Sequence, residues 1–171
     1  MTADPRGPVV LVAGIGNVFL GDDGFGVEVA QRLLARPQPD GVRVVDFGIR
    51  GLDLAWALEG CGAAIFVDAT PRGGAPGTVY VIEPDVAHVE APLDAHTMTP
   101  ERVLASLAAD ARPRTVRLVG CEPLSLEPDE DGLSEPVRAA VDEAVRVVES
   151  LARGLLAESL AAAHPEAGRD A

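Results

Sequence analysis

The chain has 171 residues, 47% hydrophobic and 24% charged, a balance that suits one globular domain with a substantial core. Its net charge of -13, from 27 acidic and 14 basic residues, opposes phosphate backbones and anionic lipid and so disfavours nucleic-acid and membrane partners. Two cysteines, Cys61 and Cys121, are too few for a disulfide framework or a four-cysteine zinc site. No apolar run is long enough to span a bilayer. "MTADPRGP" carries no signal-type segment, so the expected compartment is the cytoplasm.

In chain order, "PVVLVAGIG" is a continuous apolar run ending in glycine, as expected of a strand buried on both faces. "DGFGVEVAQRLLAR" follows with apolar residues near helical spacing, closed by Pro37. Residues 42–48, "VRVVDFG", read as a second strand and "GLDLAWALEG" as a short helix. "AAIFVDAT", 63–70, is a third strand, apolar until its aspartate. "TVYVIE" is a short strand of undetermined direction after the turn cluster "PRGGAPG", and 84–98 read as loop. Thr99 as N-cap with Pro100 at the first helical position predicts a helix over "TPERVLASLAAD". "TVRLVGCEP" is the last strand, and "SEPVRAAVDEAVRVVESLARGLL" a long amphipathic helix. The expected organisation is one α/β domain over 1–157 with a frayed tail over 158–171. Alternating strands and helices predict a mostly parallel sheet of about five strands with helices on both faces.

Ligands of such sheets bind beyond the carboxyl ends of the strands. Asp22 and Asp23 follow the first strand, Asp46 ends the second, Asp68 ends the third and Glu122 follows the last. Chain direction therefore gathers carboxylates on one edge. Adjacent acids at a helix start cannot aim at one point. Asp22 is expected to cap the helix and Asp23 to face the crevice, although both can simply serve the helix start. His96 lies on a loop able to reach that edge, whereas His88 and His164 are expected in a polar loop and in the tail. Two carboxylates and an imidazole suit nickel, zinc, iron, cobalt or manganese.

The glycines invite a rival reading. Gly14 and Gly16 fit a dinucleotide fingerprint and Asp46 its ribose-binding acid, but Phe19 stands where the third glycine belongs. Asp22 and Asp23 would also repel a pyrophosphate. A P-loop is excluded because Gly21 leads into aspartates and not into Lys-Ser or Lys-Thr. Gly14 and Gly16 are expected to let the chain turn tightly off the strand, and Gly24 and Gly26 to keep the first helical turn lean, which leaves room for a partner segment beside Asp23. Cys121 reads as a buried core thiol.

Taken together, "GIGNVFLGDDGFGVEVAQRL", "VDFGIRGLDL", "IFVDAT", "APGTVYVIE", "HTMTPERVLA" and "LVGCEPLSLEPDEDGLSEPV" resemble the nickel–iron hydrogenase maturation endopeptidases. The likeness runs in order through nearly the whole chain. It implies a three-layer α/β/α sandwich with a twisted, mostly parallel sheet. It also implies an enzyme that removes the C-terminal extension of a hydrogenase large-subunit precursor after nickel insertion. Asp23, Asp68 and His96 would then bind metal, the nickel arriving with the precursor and other divalent ions able to occupy the site in vitro. Asp46 is a weaker candidate for a supporting or base role. Many members carry glutamate where this chain has Asp23, so the shorter side chain would draw the ion closer to the helix start. A monomer would suffice for such work. The alternatives are a nucleotide-binding α/β module and a non-catalytic, metal-sensing assembly chaperone.

Overall fold

The computed structural model describes residues 9–86, 99–129 and 131–163. Five strands, β1 (Val10–Ile15), β2 (Val42–Gly48), β3 (Ala63–Ala69), β4 (Val79–Ile82) and β5 (Thr115–Cys121), form one sheet in the order β2-β1-β3-β5-β4. β1, β2, β3 and β5 are parallel, and β4 joins the far edge antiparallel to β5. The helices are α1 (Phe25–Leu34), α2 (Gly51–Leu58), α3 (Pro100–Ser106) and α4 (Glu135–Ala163), with short 3-10 turns at Gly21–Gly24 and Ala109–Ala111. β4 supplies the direction that its short alternating sequence left undetermined.

Every residue of β1 is buried, as an unbroken apolar run requires when helices cover both faces. Strand alternation then divides the core. Val10, Val12, Ile65 and Val67 pack with Phe25, Val29 and Leu33 of α1 and Val137, Val141 and Val148 of α4. Leu11, Ala13, Phe66 and Leu118 pack on the other face with Leu54 and Leu58 of α2 and Val103 and Leu104 of α3. The result is the expected three-layer sandwich. Thr99 caps α3 by accepting the Arg102 N–H at 3.3 Å, with Pro100 in the first turn as anticipated. α4 continues through 158–163, six residues past the expected start of the tail.

The turn after β1 is tight, as expected of Gly14 and Gly16, but the lean helix start closes a space and does not open one. A Cβ at Gly26 would lie 2.0 Å from the Val67 carbonyl oxygen and 2.3 Å from that of Ile15. One at Gly16, where φ is +145°, would meet the Asp23 carbonyl oxygen at 1.8 Å. α1 thus starts with its backbone against the strand ends, and the chain itself fills the space over Gly16 and Gly26 that a partner segment would need. Gly26→Ala is accordingly expected to cost about 3 kcal/mol, the upper part of the overpacking range. Thermal denaturation should show a Tm lower by roughly 6–12 °C; an unchanged Tm would refute the close packing.

Candidate active site

The chain leaves β1 for β2 on one side and reaches β3 on the other, so β1 and β3 flank the point where strand order reverses. Crevices at such points, beyond the carboxyl ends, receive ligands in α/β sheets. Asp23 follows β1 and Asp68 ends β3; the two flank this crevice. The Asn17 N–H donates to Asp23 Oδ2 at 2.9 Å, which ties the carboxylate to the turn leaving β1. Asn17 in turn accepts the Phe19 N–H on Oδ1 at 3.0 Å, an Asx-turn, so its amide serves the loop.

Asp68 leaves β3 directly after five buried residues. Burial, the Asp23 carboxylate and the Glu101 carboxylate of α3 hold its carboxyl well above the usual range, despite a bond from the Ala69 N–H. Among the described residues, both charges acting on it are negative. Glu101 escaped the sequence reading because a first-turn acid is already explained by the helix dipole. Its place in the same short segment as His96 was the available signal.

Asp22 departs from expectation. It makes no side-chain cap on its own helix. Only 1% exposed, it instead reaches across to the chain after β5. Its Oδ2 accepts the Leu124 N–H at 2.8 Å, the Ser125 N–H at 3.1 Å and the Ser134 hydroxyl at 2.8 Å. Its Oδ1 accepts the Ser134 N–H at 2.7 Å. Burial works against its charge, but the bonds from Ser134, Ser125 and Leu124 outweigh it and hold the pKa below the ordinary value. Asp22 therefore secures the entry to α4.

Glu122, also buried, turns into the segment after β3. It accepts the Arg72 N–H at 2.8 Å, the Gly73 N–H at 3.1 Å and the Tyr80 hydroxyl at 3.0 Å. Asp46 shares the edge but not the face. It pairs in register with Gly14, which pairs with Val67, so its side chain lies on the α1 side of the sheet. There its carboxylate accepts the Gly48 N–H at 3.0 Å and the Gln31 amide at 3.4 Å. Asp68, one residue beyond Val67, points to the α2–α3 side. The structure brings Asp23 and Asp68 together and sets Asp46 apart from Asp68.

His96, like His88 and His164, lies outside the described residues. Among the described residues no three His, Cys, Asp or Glu side chains are grouped to hold a metal ion. Cys121 is fully buried and its thiol is pushed up to about 12 by burial, then by Asp22 and Glu122, so it stays protonated and unreactive. A dinucleotide finds no cradle either, since the main chain of Asp23 stands over Gly16. No described helix is long and apolar enough to cross a membrane.

The family model described as hydrogenase maturation protease matches residues 27–151. The chain is 38% identical over 161 residues to the hydrogenase expression/formation protein HoxM of Azotobacter vinelandii, covering 88% of this chain and 76% of that one. It is 31% identical to the hydrogenase 2 maturation protease of Escherichia coli, covering 81% of this chain and 87% of the relative. The structure of the hydrogenase maturating endopeptidase HybD from E. coli superimposes with a TM-score of 0.71 at 28% identity, over 85% of this chain and 92% of that one. With the matched fold and a carboxylate pair at its switch-point crevice, the chain belongs to the hydrogenase maturation protease family and is an endopeptidase of that kind.

Proposed function

We propose that this endopeptidase trims the C-terminal extension of a nickel-loaded hydrogenase large-subunit precursor, and that Asp23, Asp68 and His96 engage the nickel the precursor carries. The observation that carries this reading is the meeting of Asp23 and Asp68 at the crevice, where the charges acting on Asp68 from the described residues are negative. Asp23 and Asp68 would hold a divalent cation, whose charge would offset their mutual repulsion and the cost of keeping Asp68 ionised. Carboxylate oxygens plus one imidazole suit nickel and also zinc, so other divalent ions could take the same donors in vitro. His96 supplies the third donor on this reading.

Asp23, Asp68 and His96 would hold the nickel, which would supply Lewis-acid polarisation of the scissile carbonyl or of an attacking water, or would serve recognition of the loaded precursor alone. The chain's own contribution is positional. The Asn17 N–H orients Asp23, the end of β3 sets Asp68, and Asp46 supports the neighbouring turn through Gly48. The enzyme works in the cytoplasm as a monomer.

Incubation with nickel-loaded and nickel-free precursor tests the reading through the mobility shift that follows trimming. Only the loaded form should be cut, and His96→Ala should abolish cutting. Equal cleavage of both forms, or unimpaired cleavage by His96→Ala, would overturn the nickel assignment.

A further inference from the structure

Val18, Phe19, Leu124 and Leu126 are 48%, 78%, 60% and 39% exposed. Single apolar side chains on a surface need no explanation. These four belong to two loops that the structure binds into one platform. Asp22 accepts the Leu124 and Ser125 N–H groups, and its own N–H donates to the Ser125 carbonyl at 3.0 Å. The Asp129 N–H donates to the Phe19 carbonyl at 3.3 Å, and Leu20 bridges to Asp129 in parallel fashion. A buried carboxylate thus holds the backbone of loops that present apolar side chains to solvent. Ordering in advance removes part of the entropy cost of binding.

The platform adjoins the candidate site. Val18 follows Asn17, whose N–H holds Asp23. Glu127, Asp129 and Asp131 belong to the second loop, and the segments 16–24 and 124–134 contain no arginine, lysine or histidine. Arg32 and Arg138, which line the hollow beside Val18 with Glu28 and Asp131, are engaged within the protein, Arg32 by Glu28 and Asp142 and Arg138 by the Asp131 and Leu133 carbonyls. A second copy of this chain, at net charge -13, would set one acidic border against another. Anionic lipid is repelled for the same reason. The border instead fits a surface with an apolar centre and basic edges.

We propose that Val18, Phe19, Leu124 and Leu126 form the docking patch for a surface of the large-subunit precursor that is apolar with a basic border. The proposal rests on the processing function above and assigns where the folded part of that substrate sits. Contact at this patch is made equally before and during cleavage, so its loss raises KM and leaves kcat in place.

The test compares wild type, the double variant Phe19→Ser/Leu124→Ser and Leu160→Ser. Leu160 is 52% exposed on α4, roughly 39 Å along the helix from Ser134. The probe is the nickel-loaded precursor from the organism that encodes this chain, with trimming rates and binding by biolayer interferometry at low and high salt. Both variants should melt with the wild type. The double variant should show at least a tenfold higher KM and Kd with kcat within twofold, Leu160→Ser should show neither change, and wild-type affinity should fall as salt rises. An unchanged KM and Kd in the double variant, with normal trimming by the wild type, overturns the docking patch and leaves the processing function standing. Binding lost in the double variant, but with no trimming by the wild type, supports the patch and sinks the processing function. A wild-type dimer in sedimentation that the double variant abolishes assigns the patch to a second copy and overturns the proposal, as does a wild type that does not bind precursor.

Discussion

Asp68→Asn is expected to melt at higher temperature than the wild type at neutral pH and to trim precursor more than about a hundredfold more slowly. The rate estimate follows from metal sites, where losing a group that merely orients a ligand already costs about 10- to 100-fold. The stability gain follows from the raised pKa of Asp68. Below the unfolded carboxyl pKa of about 4, the group is protonated in both states and contributes nothing. As pH rises, the unfolded chain ionises first, so the folded state loses stability until the folded carboxyl ionises too. Burial and then the Asp23 and Glu101 carboxylates cause that penalty, and asparagine escapes it. The Tm difference between variant and wild type should therefore vanish near pH 3 and grow toward neutrality. A variant less stable than the wild type at pH 7 would show that Asp68 is held by partners that favour its charge. Stability sacrificed at a carboxylate needed for the reaction is the usual sign of a functional site.

Much of the architecture was legible because buried parallel strands must be apolar without interruption. "VRVVDFG" maps onto β2 residue for residue, and Thr99-Pro100 marks the start of α3. The direction of β4 was not legible, since four alternating residues pair equally well either way until a neighbour is chosen. α4 outruns its expected end because "ESLAAA" favours helix through propensity after the last buried residue, Leu155, has left the core. The edge carrying the acids could be derived from chain direction alone. The face could not. Side chains alternate with period two, so whether Asp46 and Asp68 share a face depends on register, which only the paired strands reveal. Asp22 and Asp23 pose the same difficulty: adjacent carboxylates look alike until a partner 112 residues away claims one of them.

That claim makes Asp22→Ala the most destabilising change expected near the site. The substitution removes the acceptor from the N–H groups of Leu124, Ser125 and Ser134 and from the Ser134 hydroxyl, in a position only 1% exposed. Buried donors left without partners cost about 1–3 kcal/mol each before relaxation. With local water entry a total of roughly 3–5 kcal/mol is expected, a fall in Tm of about 10 °C or more. Acid titration provides the sharper check. The folded pKa of Asp22 is lowered, so its stabilisation is complete above the unfolded value of about 4 and is lost as pH falls through the lowered folded one. Glu122 is lowered too, against its burial, by the Arg72 and Gly73 N–H groups and the Tyr80 hydroxyl, and it contributes with the same sign. Subtracting the Asp22→Asn profile from that of the wild type isolates the Asp22 share. The difference should be constant at neutral pH and shrink below about pH 4. A difference independent of pH would mean that shape, not charge, joins the first loop to α4. It would also remove the electrostatic reason for placing two aspartates side by side: one buried to hold the loops together, the other left facing the crevice.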